Sequence, residues 1–254
     1  MEDSKIFTSK IEDKINQSRN NFYITSTGFL DMHEISIATD ICKKEKDINA
    51  FFYGGYNNAE RKILIISPCE FTSSFEEIIK MEEFFTLIKI RTKGSVKLTH
   101  RDYLGSVLSL GLKRNVIGDI TVLKNGADMI VKKGIEKFLL SEYVKVGKMN
   151  VKLSVCDISE FIPPKLQKTI LTKSISSLRL DNIVVAAFSV SRSNATEAVK
   201  KGRIFLDHTL QNRIDRKVEE GQSIVYRGKG KAILTEVVGT SKKGRQIVKI
   251  EKYI

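Results

Sequence analysis

Between residues 177 and 230 the chain places Arg192, Lys200, Lys201, Arg203, Arg213, Arg216 and Arg227 where no apolar face is left for them to occupy. Exposed cations at such spacing do one kind of chemistry: they neutralise phosphates, and the arginine fork can grip two oxygens at once. Arg179 joins them at the margin of an apolar helical stripe, with Asp181 two residues on, a spacing too short for attraction within one helix. Charge follows the same distribution. The chain holds 43 Lys and Arg against 30 Asp and Glu, a net of +13, and residues 173–254 hold 17 against 8, a net of +9. An excess held mostly in the last third of a chain points to a polyanionic partner.

Short elements must position these side chains. Leu180, Ile183, Val184 and Ala187 recur at helical spacing. A second helix starts at Ser191, whose hydroxyl can cap free amides, and buries Ala195, Ala198 and Val199 until Gly202 ends it. Arg203–Asp207 reads as a strand with Ile204 and Leu206 on one side, and a polar segment from His208 to Lys217 leads to Gly221 and a strand over Ser223–Arg227. Arg179-Leu180-Asp181, Ser191-Arg192, Ala195, Gly202, Val218-x-x-Gly221 and Val225-Tyr226-Arg227-Gly228 together resemble the S4 RNA-binding domain, an αL-type module. Leu206-Asp207-His208 departs from the Val-Asn-Gly usual there.

Other chemistries find less support. Cys42, Cys69 and Cys156 are odd in number and far apart, which suits reduced thiols, and His33, His100 and His208 make no metal-ligand spacing. No cofactor motif appears. With 41% hydrophobic residues, no apolar run near 18 residues and no leader pattern over Met1–Lys10, the chain is expected to be cytoplasmic, with no membrane partner. His100-Arg101-Asp102 copies a kinase triplet, yet Val107 stands where that site needs asparagine, and no glycine-rich phosphate loop is present. Asp102 is better read as part of a helix start.

Two regions precede the basic module, giving an α+β chain. Residues 1–80 form an N-terminal α/β region: helices carry Ile11 and Ile15, then Ile35, Ala38 and Ile41 behind an Asp31/Glu34 capping box. Strands at Phe51–Tyr56 and Lys62–Ser67 follow, with Gly54-Gly55 suiting a tight turn. Residues 81–162 read as β-α-β-β-α-β, a ferredoxin-like (RRM-like) order without the aromatic stacking signature of RRM domains. Its signals are a strand over Phe84–Arg91, a helix capped by Thr99 with Asp102, and a hairpin about Asn125-Gly126. A helix over Gly134–Val146 and a strand over Val151–Asp157 complete it. Pro163-Pro164 opens a linker, 163–172, before the S4 module at 173–254.

His100-Arg101-Asp102-Tyr103-Leu104-Gly105-Ser106, Leu110-Gly111-Leu112-Lys113-Arg114 and Ile117-Gly118-Asp119-Ile120, with Gly54-Gly55-Tyr56 and Ala59-Glu60-Arg61-Lys62 upstream, are similar to the YlmH-type S4-domain proteins of Gram-positive bacteria. The resemblance spans nearly the whole chain. It implies a non-enzymatic, monomeric protein that binds ribosomal RNA and tRNA on the large ribosomal subunit and rescues stalled peptidyl-tRNA in ribosome-associated quality control. Candidate RNA contacts are Arg179, Arg192 and the amides behind Ser191, then Lys200, Lys201, Arg203, Arg213 and Arg227, with Arg101, Lys113 and Arg114 as a second surface. The alternative is an RNA-modifying enzyme, of pseudouridine synthase or methyltransferase type, delivered by its S4 domain. Its motifs are missing, which leaves only a novel site among Glu60, Asp102 and Asp119.

Overall fold

A computed structural model describes residues 2–71, 73–81, 83–92, 97–164, 168–207, 209–241 and 244–253. The chain divides into two compact units, Met1–Pro164 and Lys165–Ile254.

The first unit runs α1 (Glu2–Asn21), β1 (Thr25–Ser26), α2 (Met32–Cys42), β2 (Ile48–Tyr53), β3 (Ile63–Pro68), α3 (Phe75–Met81) and β4 (Phe85–Thr92). It continues through α4 (His100–Leu108), β5 (Ile117–Leu123), β6 (Gly126–Lys132), α5 (Glu136–Glu142), β7 (Lys145–Val146) and β8 (Met149–Cys156). Its two antiparallel sheets have the orders β1-β3-β2 and β5-β6-β4-β8-β7. Asp31 caps α2 reciprocally with Glu34, and Thr99 with Asp102 does the same for α4, as their sequence spacing predicts.

Residues 1–80 and 81–162, separate in the sequence reading, share a core. Strand β3 is buried along its whole length because both of its faces are covered. Leu64 and Ile66 pack with Ile11, Ile15 and Ile35 from the helices, while Ile63 and Ile65 pack with Phe85, Leu87 and Ile130 of the larger sheet. The Asn125-Gly126 turn is as expected. Gly126 has φ +153°, and a Cβ there would lie 1.9 Å from the Ile90 carbonyl oxygen, so only glycine fits.

Two expectations are corrected. The helix expected over 134–146 is only Glu136–Glu142, because Tyr143 leaves it to bury its ring and donate its hydroxyl to the Tyr103 carbonyl at 3.0 Å. A turn at Gly147, φ +57°, then pairs Lys145 with Asn150. The linker expected over 163–172 ends earlier than read: β9 (Lys168–Ile175) pairs with the last strand over its full length.

The second unit continues with α6 (Leu180–Phe188), α7 (Arg192–Lys200), β10 (Ile204–Leu206), β11 (Thr209–Leu210), β12 (Ser223–Tyr226), β13 (Gly230–Thr240) and β14 (Gln246–Tyr253). Its antiparallel sheet has the order β11-β10-β12-β13-β14-β9. The helices bury Leu180, Ile183, Val184, Ala187, Ala195, Ala198 and Val199 against Ile224, Leu234, Val248 and Ile250. Leu180 is wholly buried in that cluster. Leu180→Ala is expected to cost about 2–5 kcal/mol, read as a lower denaturant midpoint for this unit.

Candidate nucleic-acid interface

Arg179 occupies the cap position before α6 with extended backbone, φ −67° and ψ 146°. Its side chain therefore folds back over the first turn and grips Asp181 at two points, Nε to Oδ1 at 3.1 Å and Nη2 to Oδ2 at 3.4 Å. The expectation that these two residues are too close to attract fails because Arg179 is not itself helical. Asp181 is not marginal either, being 1% exposed. A distant segment buries it: the Leu180 and Asp181 amides donate to the Arg216 and Ile214 carbonyls at 2.8 and 3.2 Å, and the Val218 amide to Leu178.

That crossing pairs the backbone of Arg179 with that of Lys217. The hydrogen bonds and charge of Asp181 raise the Arg179 pKa, with Asp215 adding to the effect. Arg213 pairs with Asp215 at 3.0 Å, and Glu220 accepts from the Val237 amide. Arg192 opens α7, and its Nη2 lies 3.6 Å from Asp181 Oδ2. Two guanidiniums thus converge on one buried carboxylate, and the forks keep donors to spare. Ser191 caps α7 by accepting from the Asn194 amide at 3.2 Å, and leaves the other first-turn amides to a ligand or solvent. A cation at a helix N-terminus is unfavourable by itself. Asp181 offsets that cost, so the position of Arg192 does not alone require a phosphate.

Lys200, Lys201, Arg203 and Arg227 gather at the other end of α7, about 12 Å along the helix from Arg192. The Arg227 amide donates to the Arg203 carbonyl at 2.9 Å, and all four side chains are exposed. Lys201 pairs with Glu197 at 2.5 Å, and that bond with Lys201, reinforced by Arg203, lowers the Glu197 pKa. Asp207 takes the left-handed conformation, φ +46°, and its carboxylate accepts from the Ser223 amide and the Gln222 side chain. An aspartate can thus hold that turn position in place of asparagine. His208 lies outside the described residues.

In the first unit, the sequence blocks around Gly54, Glu60, Arg114 and Asp119 come together. Asp119 accepts from the Tyr56 hydroxyl at 2.9 Å and from the Glu60 and Arg61 amides at 2.8 and 3.1 Å. Gly54, where a Cβ would lie 2.2 Å from the Arg61 carbonyl oxygen, lets the 54–61 loop double back tightly. Arg61 donates to the Phe29 carbonyl, and Arg114 donates to those of Ile117 and Gly118. Burial, followed by the neighbouring Arg61, pushes the Arg114 pKa down to about 10. Arg114 is therefore turned inward, whereas Arg101 and Lys113 are exposed. His100, exposed at the start of α4, has its pKa lowered by desolvation and by Arg114.

Of the three candidate carboxylates, Asp102 and Asp119 are committed to structure, while burial, then the Asp119 charge, raises the Glu60 pKa. Asp102 Oδ2 accepts from the Thr99 amide and hydroxyl at 2.6 and 2.7 Å, which lowers its pKa, and Asp119 is tied to three donors. No cluster of three or more metal-ligating side chains occurs among the described residues, and no described helix is long and apolar enough to cross a membrane.

Comparison with known proteins agrees with these blocks. A family model for the N-terminal part of YlmH matches residues 4–71, and one described as a proposed RNA-binding domain in YlmH matches residues 80–160. Ribosome-associated protein quality control protein P2 of Bacillus subtilis (strain 168) is 30% identical over 227 residues, 89% of this chain and 86% of that protein. The solved structure of cell division protein ylmH from Streptococcus pneumoniae aligns with a TM-score of 0.51 and 21% identity. It covers 63% of this chain and 95% of that one, a likeness of fold.

Proposed function

This chain belongs to the YlmH family, and on that premise we propose that it is a non-catalytic RNA-binding protein of the large ribosomal subunit. It acts in the cytoplasm as a monomer, contacts ribosomal RNA and tRNA through an S4 module in its second unit, and serves the rescue of stalled peptidyl-tRNA. The observation that carries this reading is the convergence of Arg179 and Arg192 on buried Asp181. A buried carboxylate fixes the forks while their outer donors stay available, as recognition of a phosphate backbone requires. Lys200, Lys201, Arg203 and Arg227 extend the cationic surface along α7.

The strand order β5-β6-β4-β8, with α4 and α5 as the crossovers, supports a ferredoxin-like reading of the middle region. The commitment of Asp102 and Asp119 to hydrogen bonds supports a non-catalytic role. The experiment is titration of the intact protein with ribosomes and with purified ribosomal RNA and tRNA over a range of salt. With roughly 4–6 phosphates contacted, log affinity should fall linearly with log salt at a slope near −3 to −5. Affinity independent of salt would overturn the electrostatic reading, and the absence of ribosome binding would overturn the function.

A further inference from the structure

The larger sheet of the first unit has two faces with different fates. Ile88, Ile90, Met129 and Val131 point to α4 and α5 and pack on Tyr103, Val107, Leu139 and Tyr143. The opposite face is the one that RRM-type modules offer to RNA, through aromatic side chains on the central strands that stack bases. Here Phe85, Leu87 and Ile130 on that face pack against Phe29, Ile63 and Ile65 of the same unit. The chain's own core occupies that half of the platform.

Beyond Leu87 the face changes character and, among the described residues, opens toward exposed Ser154 and Lys152. Lys89 and Arg91 follow on β4, Asp128 on β6, and Ser154 and Lys152 on β8. Lys89 is engaged by Glu160 at 2.6 Å. Arg91 and Lys152 stand directly opposite each other in the register of β4 and β8. Like charges in that position destabilise a sheet. Arg91 is pinned through Nη1, which donates to Asp128 Oδ1 at 2.8 Å and to the Ile90 and Ala127 carbonyls. Its Nε and Nη2, and the exposed Lys152, meet no protein acceptor among the described residues. The hairpin tip beside this end of β4, where the Thr92 amide donates to Asn125, adds exposed Lys124.

We propose that the half of this sheet face beyond Leu87, carried by Arg91 and Lys152, is an RNA-backbone contact that grips phosphates and reads no base. The pair's unfavourable register is then explained by an anion between the two cations, and the absence of an aromatic residue at these positions by the absence of stacking. The inference rests on the RNA-binding reading above and adds a second surface to it.

The test is Lys152→Glu in the intact protein, titrated with two labelled RNA duplexes of different sequence, each of about 20 base pairs. Glutamate opposite Arg91 makes a favourable cross-strand pair, so the melting temperature should hold or rise. Affinity for both duplexes should nevertheless fall about tenfold at ~0.1 M salt, and the salt slope should flatten by about one. Unchanged affinity would overturn the proposal, as would a loss confined to one sequence. So would a loss of ribosome binding with duplex binding intact, which would make this a docking face for an acidic protein. Arg192→Gln is the comparator: if it weakens RNA binding and Lys152→Glu does not, only the sheet surface falls, and if the unaltered protein binds no RNA, both readings fall.

Discussion

Asp119→Ala is expected to destabilise the first unit by about 1–3 kcal/mol, the range for leaving part-buried hydrogen-bonding groups without their partner. The change strands the Tyr56 hydroxyl and two backbone amides, and it removes a negative charge that favours the charged forms of Arg61 and Arg114, which repel each other. The loop over 54–61 should loosen first, since Asp119 is its clamp. Hydrogen exchange at the Glu60 and Arg61 amides and urea unfolding both read the effect. Asp102→Ala should cost only about 0.5–2 kcal/mol, because Asp102 is an exposed cap. If Asp119→Ala kept full stability while ribosome binding collapsed, Asp119 would be a ligand-contacting residue and not a clamp.

Local physics was legible in the sequence and long-range geometry was not. Asp31 with Glu34, Thr99 with Asp102, Ser191 and Asn125-Gly126 are signals a few residues long, and each sets the structure where it stands. Strand β9 was hidden because it is an exposed edge strand with one partner, β14, so burial imposes little pattern on it, and Pro163-Pro164 outweighed what remained. The β13–β14 hairpin was not read, although Ala232 and Leu234, and Val248 and Ile250, alternate inward as a half-buried hairpin requires. The uninterrupted run Ile63–Ile66 was the available signal that the N-terminal region shares a core with the next. Asp181 reads from sequence as a marginal polar residue, since its burial depends on a segment over thirty residues away that crosses the start of α6.

That buried carboxylate shapes the largest functional loss expected. Arg179→Gln and Arg192→Gln should each weaken binding to ribosomal RNA about tenfold at ~0.1 M salt and flatten the salt slope by about one, and together roughly fifty- to hundredfold. Glutamine is the informative replacement, because glutamate at 192 would set a second carboxylate against Asp181. Each single variant leaves Asp181 one cation. Arg192, 71% exposed and 3.6 Å away, contributes little to folding, so Arg192→Gln should melt near the parent temperature. Both arginines removed together leave Asp181 uncompensated, so that variant should be compared with one that also carries Asp181→Asn. Asp181→Asn alone keeps both cations but frees their forks, so affinity should drop while the salt slope stays. A slope that flattens for Asp181→Asn but not for the arginine variants would mean that phosphates meet other side chains, and the interface would have to move to the Lys200–Arg203 end of α7.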